Sequence, residues 1–387
     1  LPVSWTHHTG VAPPYTIDPV FMDRVAWCLD QAAARGLKTV LNVHHYDELN
    51  ADPVGERARA LAMWQQIATR FVDRPEVGPG AVYFEVLNEP HGAFDADPTL
   101  WDDYLIAALG VIRQSNPTRW VMAGPTGYNA ISALGSFELP ADDRLMGTVH
   151  FYDPFVFTHQ GAEWVDPSPP VGTLWPGAAY GFATPWQNWS WGTGITPTDN
   201  GLLIEYQQGW AGLYLRRLSL AEGVTRVRIF ANADLALNII VGVDGDDTGI
   251  PLQTEIRGRW YEVEIPPAYA DLYKVIIQNA SPDPQSPWML GRVEIVSGDG
   301  AVEVAIGSEA QAIESAMRFA RRWAKRQNNG AGVPLYLGEF GAYSTADMTS
   351  RVLWTRSARR AAERNVMGWG YWELGAGFGF YDPASGE

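Results

Sequence analysis

Two glutamates in this 387-residue chain stand where acid–base chemistry could be done. The run Val82-Tyr83-Phe84-Glu85-Val86-Leu87 leads into Asn88-Glu89-Pro90, and far downstream Leu335-Tyr336-Leu337-Gly338 leads into Glu339-Phe340-Gly341. A continuous apolar, β-prone run closed by a breaker predicts a strand buried on both faces, as in a parallel sheet. Each strand then delivers a carboxylate to its C-terminal edge, the edge that carries the chemistry of a parallel α/β barrel. Two carboxylates from separate strands on one rim are the constellation that glycoside hydrolysis needs. Either glutamate alone would read as a solvated strand end. The pair, each in its own motif, carries the reading. Glu85 sits four residues inside its strand and is read as structural.

Histidines point to the same rim. All seven lie outside residues 194–304, and His7, His8, His44, His45 and His150 end or closely follow predicted barrel strands. That clustering makes His44, His45 and His150 candidate sugar contacts. His7 and His8 fall between a contact and a plain loop role, and His91 and His159 need no special reason for their loops. Neighbours on a strand point to opposite faces, so His44 and His45 cannot easily chelate one ion. With no His-x-x-x-His pair and only Cys28 as a thiol, no metal centre and no cofactor are expected. Asp244, Asp246 and Asp247 form an acidic run without the closing Glu of a calcium loop, and read as a hairpin turn.

Positioning these residues requires strands alternating with helices. Leu1-Pro2-Val3-Ser4-Trp5 reads as an opening strand. Asp18-Pro19 supplies an N-cap and a first-turn proline; Phe21, Val25, Leu29 and Ala32 follow at helical spacing, and Gly36 ends the helix. Further strands are read at 38–43, 82–87, 120–123, 145–151, 335–340 and 366–372, with helices at 56–72, 99–115, 308–327 and 344–365. This alternation implies right-handed parallel crossovers and an α/β fold, a (β/α)8 TIM barrel. Seven barrel strands are visible, the first being the one missing.

Residues 194–304 break the pattern, with seven β-prone runs separated by Gly, Pro and Asp turns and no helix. That is the signature of a β-sandwich. The chain is therefore read as a catalytic barrel (1–193 and 305–387) with an all-β domain inserted after strand six, emerging on the catalytic face. Trp210 and Trp288 are candidate sugar platforms in the insert, whereas Trp260 reads as sandwich core.

Asn88-Glu89-Pro90 and Gly338-Glu339-Phe340-Gly341 resemble the acid/base and nucleophile motifs of glycoside hydrolase family 5, the cellulase-type retaining glycosidases. His44-His45-Tyr46-Asp47-Glu48-Leu49, His150-Phe151-Tyr152-Asp153-Pro154 and Trp369-Gly370-Tyr371-Trp372-Glu373 fall in the family's order and extend the resemblance over nearly all the chain outside the insertion. It implies Glu89 as acid/base and Glu339 as nucleophile, ~5–5.5 Å apart, with a covalent glycosyl-enzyme between two steps. The charge on Glu339 would keep Glu89 protonated until that intermediate forms. Asn88 would bind the sugar 2-hydroxyl, Tyr152 would donate to the nucleophile, and Trp372 would lie under the sugar at the cleavage point. The implied activity is endo-hydrolysis of β-1,4-glucan with retention and no cofactor. A β-mannanase or mixed-linkage glucanase would share the catalytic pair, and a non-catalytic polysaccharide-binding protein is the alternative of another class. The family's active-site Arg would precede Leu1, and the chain stops before an eighth helix, so it reads as cut at both ends. The insert, in Trp210-Ala211-Gly212-Leu213-Tyr214 and its closing strand, resembles jelly-roll carbohydrate-binding modules.

Composition agrees with a polysaccharide partner. Apolar content of 46% and aromatic content of 12% suit a sizeable core, and 17 Trp could also supply stacking faces. The net charge of −16 argues against nucleic acid and anionic membranes. No apolar run is long enough to span a bilayer. A monomer, secreted or periplasmic, is expected. One cysteine excludes an internal disulfide and says little about compartment.

Overall fold

The computed structural model describes residues 1–177, 180–198, 200–232, 235–245, 248–252, 254–257 and 259–381. Asp246 and Asp247 of the acidic run, and the chain from Asp382 onward, lie outside them. Two compact units comprise residues 1–150 with 323–338, and residues 151–322 with 339 onward.

In the first unit, β1 (Thr39–Asn42), β2 (Val82–Glu85), β3 (Val121–Ala123) and β4 (Leu145–His150) pair side by side in parallel. Next comes β5 (Leu335–Phe340), joined at its start by Gly147 N donating to Pro334 O at 2.9 Å. The helix Pro19–Ala33 precedes β1, and the helices Arg57–Arg70 and Pro98–Ser115 connect β1 to β2 and β2 to β3. Asp18 caps the first by accepting from Val20 N, and Met22, Val25, Ala26 and Leu29 make its buried stripe. Trp64 and Trp101 lock helix to sheet, donating to the carbonyls of Val86 and Gly124, each at 3.0 Å. Cys28 is half-buried in the first helix.

The opening residues do not form the expected strand. Leu1 N donates to Val40 O, and Val3 O accepts from His44 N, so the segment does run alongside β1. Between them Val3 N goes to the side-chain oxygen of Asn42 at 3.4 Å, which interrupts the ladder. Trp5–His8 then coil into a 3-10 turn.

In the second unit, β5 continues through Glu339 and Phe340 beside β6 (Gly368–Tyr371), where Trp372 N donates to Phe340 O at 2.9 Å. The parallel sheet thus runs from β1 through β6 in chain order. This is the wall of a TIM barrel. Two antiparallel sheets occupy residues 180–308. One orders Ile250–Leu252, Leu237–Gly242, Leu272–Asn279, Gly212–Ala221 and Trp186–Asn188; the other is built around Val224–Ala231 and Trp288–Ser297. Their inward residues alternate along each strand, and Leu213, Leu215, Val227, Ile229, Ile277, Val293 and Trp288 make one core.

Two tryptophan readings change. Trp288 is 1% exposed and packs inside this core, with Tyr206 at 6.1 Å, so it cannot be a sugar platform. Trp260 is not in the core. It pairs with Phe230 across the ladder, Tyr261 takes the inward place, and Arg228 lies 4.3 Å over the Trp260 ring on the outer face. Period two along the strand sorts both. Among the described residues no helix is long and apolar enough to cross a membrane.

A buried ion pair anchors the sandwich. Glu303 accepts from Arg217 Nη2 at 3.0 Å, Arg217 Nε at 3.1 Å, Trp186 Nε1 at 2.7 Å and Arg322 Nη1 at 3.3 Å. Burial alone would raise the Glu303 carboxyl; the Arg217 charge, these hydrogen bonds and Arg322 hold it below the ordinary carboxylate value. A carboxyl lowered in the fold stabilises fully above its unfolded value, and that contribution fades as pH falls toward the folded one. Replacing Arg217 by Met strands a buried carboxylate and should cost about 3–5 kcal/mol in urea melts at pH 7. A loss under about 1 kcal/mol would mean that the remaining donors satisfy Glu303 without Arg217.

Candidate active site

Strand geometry assembles the first unit's polar residues. Period two puts Asn42 and His44 on one face of β1, and the register sets Asn42 opposite Glu85. The Asn42 amide nitrogen lies 2.9 Å from Glu85 Oε2 and 3.2 Å from His44 Nδ1, so its two protons serve both. Burial raises the Glu85 carboxyl, opposed by the nearby His150 and the bond from Asn42. Burial and Glu85 together raise the Tyr336 phenol. Glu85, expected to be structural, is thus a buried polar hub under the strand ends.

Beyond β2 the chain turns sharply at Glu89, whose φ of 52° lies in the left-handed region. A non-glycine residue there costs on the order of 1 kcal/mol, and such outliers gather at functional sites. Four contacts hold the turn. Asn88 N donates to Val43 O at 2.9 Å, and His91 Nδ1 lies 2.7 Å from Glu89 O. Tyr128 N donates to Pro90 O at 3.2 Å, while the Tyr128 ring stacks on His91 at 4.3 Å. The turn aims the Glu89 carboxyl at His150, with Oε1 2.7 Å from Nδ1. Asn88 and His150 are buried and Glu89 is half-buried.

His44 is buried and His45 exposed, their rings edge to face at 4.6 Å. Burial first, then the charges of His45 and His150, lower the His44 imidazole to about 4 against the pull of Glu89. It is therefore neutral at neutral pH, able to meet a hydroxyl as donor or acceptor.

Space for His150 comes from the strand that carries the second carboxylate. A Cβ added to Gly338 would lie 2.7 Å from Thr148 Oγ1 and 3.3 Å from His150 Nε2. The residue before Glu339 must therefore stay bare.

In the second unit Glu339 is buried, and its carbonyl accepts from Phe151 N at 3.0 Å. Phe151 directly follows His150. Tyr152 is half-buried; its carbonyl accepts from Thr158 Oγ1 at 2.6 Å, and its ring meets His159 at 4.9 Å and Phe378 at 5.8 Å. Trp372, also half-buried, follows β6, and its carbonyl fills the space a side chain on Gly341 would need. It is joined to Glu373 by a cis peptide bond.

Of the sequence candidates, Asn88, Glu89, His44, His45 and His150 fall in the first unit, and Glu339, Tyr152 and Trp372 in the second. Trp210 lies on the sandwich. His8 stacks on Phe21 at 3.7 Å, a helix-packing role, and Glu48 is exposed in a short helix. His159 is buried against Phe155 at 4.0 Å and supports Tyr152, a role its loop position gave no hint of. Sequence reasoning also missed Asn42, His91 and Tyr128. Asn42 was findable, two residues before His44 on the same strand face; the Tyr128 stack has no local signal. Glu89 and His150 could each lend one atom to a metal, and both are already engaged with each other.

Comparison with known proteins agrees with this layout. Residues 1–179 match the family described as Cellulase (glycosyl hydrolase family 5). Endoglucanase H of Acetivibrio thermocellus is 39% identical over 160 residues, 41% of this chain and 17% of that protein. Endoglucanase 1 of Ruminococcus albus is 35% identical over 188 residues, 43% of this chain and 44% of that protein. The chain thus spans less than half the length of either curated relative. Solved structures of Thermotoga maritima Cel5A with cellobiose and with mannotriose both give TM-scores of 0.62. They are 27% and 26% identical, and each match covers 100% of this chain and 81% of that one.

The lowered His44 value has a consequence for stability. Below its ordinary 6.5 the unfolded chain takes a proton that the folded site refuses until about 4. Stability is therefore complete above that window and falls as pH drops through it. Between pH 7 and 4.5 the native protein should lose roughly 2–3 kcal/mol more than His44→Asn in urea melts. Equal losses would show that His44 protonates freely in the fold.

Proposed function

We propose that the chain, whose residues 1–179 match the cellulase family (glycosyl hydrolase family 5), is a member of that family that cleaves β-1,4-glucan internally, with retention of anomeric configuration. The observation that carries the reading is Glu89: a carboxyl at the end of β2, on a left-handed backbone, held 2.7 Å from His150. Strain kept in place by several contacts supports a working residue rather than a solvated strand end. Gly338, where a side chain would crowd Thr148 and His150, leads in sequence directly to Glu339.

Each group then has a role. Glu339 attacks the anomeric carbon while Glu89 passes its proton to the departing oxygen, leaving a glycosyl ester on Glu339. In the second step Glu89, now a carboxylate, takes a proton from water, and that water displaces Glu339. His150 Nδ1, 2.7 Å from Glu89 Oε1, holds the carboxyl in place through both steps. Asn88 holds the 2-hydroxyl, His45 and the neutral His44 contact the sugar, Tyr152 orients Glu339, and Trp372 lies under the sugar ring. The mannotriose complex of the Thermotoga maritima relative favours β-mannan as a second substrate. A polymeric substrate suits an enzyme placed outside the cytoplasm, secreted or periplasmic.

Azide rescue tests the assignment. Glu339→Ala should be inactive, with azide restoring turnover and giving a glycosyl azide of inverted configuration. Glu89→Ala should keep the first step on substrates with good leaving groups and give a retained azide. Release of an α-configured sugar by the intact protein would overturn retention. Full glucan hydrolysis by both variants would overturn the enzyme reading itself.

A further inference from the structure

We propose that the outer face of the five-stranded sandwich sheet is a second saccharide site, with Trp189, Trp191, Trp210 and Tyr214 as a platform for an extended, neutral β-linked glucan chain. The glucan class rests on the function proposed above; the site itself rests on the following geometry.

Large apolar rings are normally buried, yet Trp189 is 50%, Trp191 38% and Trp210 51% exposed. They are fixed outward rather than left loose. Trp191 exchanges both backbone bonds with Gly212 at 3.1 Å, and its indole covers that glycine so closely that a Cβ would run into the ring. Its Nε1 donates to Trp210 O at 3.2 Å. Trp189 N donates to Tyr214 O at 2.8 Å, its Nε1 to Gln187 at 3.2 Å, and the Arg216 guanidinium sits 4.2 Å from its ring centre. Tyr214 lies 6.4 Å from both indoles, half-buried on the outward side of its strand.

Trp210 adds an independent sign. Its φ of 59° is left-handed, a genuine outlier for so bulky a residue. Its carbonyl takes both Trp191 Nε1 and Gln278 Nε2, the latter at 3.3 Å, so the strained turn braces the platform. Strain at a half-exposed aromatic marks a functional surface.

The chemistry of the face selects the ligand. Pyranose rings present a flat C–H face and hydroxyl edges, matching indole faces interleaved with neutral amides such as Gln278 and Gln187. A polyanion would meet a chain of net charge −16, and the cation at the platform, Arg216, is already engaged with the Trp189 ring and the Tyr273 hydroxyl. A cationic ligand would find no carboxylate among the residues that form this platform.

The test uses the full chain with Glu339→Gln, so that bound polymer is not cut, run by affinity electrophoresis in barley glucan. Adding Trp189→Ala or Trp191→Ala should weaken retardation about tenfold each. Trp260→Ala, on the outer face of the other sheet, should not change it. Circular dichroism checks that each variant folds. In chains with intact Glu339, the same platform variants should cleave an aryl cellobioside at the unaltered rate. If the aryl cellobioside is cleaved but the platform variants are retarded like the parent, this inference falls and the catalytic reading stands. If no aryl cellobioside is cleaved yet retardation depends on Trp189 and Trp191, the catalytic reading falls and the platform stands.

Discussion

The hydrogen bond between Glu89 and His150 spans 61 residues of sequence and joins the ends of β2 and β4. Much of the surrounding structure exists to let it form. Glu89 must turn left-handed to present its carboxyl, so His91, Tyr128 and Asn88 clamp the turn. His150 needs an empty flank, so β5 carries glycine at 338. A side chain at that one position would crowd Thr148 Oγ1 and the Nε2 edge of His150.

Buried charge is handled in two contrasting ways. Glu303 faces two arginines and an indole N–H, and is held as a carboxylate. Glu85 has the Asn42 amide and the nearby His150 opposing its burial, and burial wins, raising its carboxyl. The first is a structural clamp with matched charges, strong only while both partners remain. The second puts a carboxyl whose charge is disfavoured beneath the strand ends, where it orients Asn42 and, through it, His44. Arg119 gives a third solution: fully buried, it donates to the carbonyls of Phe71, Val72, Arg74 and Val82 instead of to a carboxylate.

The sandwich shows how strand parity decides the use of a tryptophan. Trp288 enters the core because its strand position faces the opposing sheet. Trp189 and Trp191 follow an edge strand, and Gly212 offers a flat backbone for an indole to cover. Identical side chains thus serve as core or as surface depending on a shift of one residue.

Local signals sufficed for a good part of this. Apolar runs ended by Asn88-Glu89-Pro90 and Gly338-Glu339 were legible as strands presenting carboxylates, because periodicity and breakers act within a few residues. The Asp18-Pro19 start and the helical spacing after it were legible for the same reason. Pairing was not legible. Leu1–Trp5 looked like a strand, but the Asn42 side chain lying beside it takes Val3 N, and the chain coils from Trp5. Glu85 was legible as structural, but its partner Asn42 follows only from the register. The inward turn of Trp288, the outward one of Trp260 and the support of Tyr152 by His159 depend on which element lies across from each. A residue's type and spacing are fixed along the chain, but its face, partner and protonation are set by neighbours distant in sequence, and only folding brings those into contact.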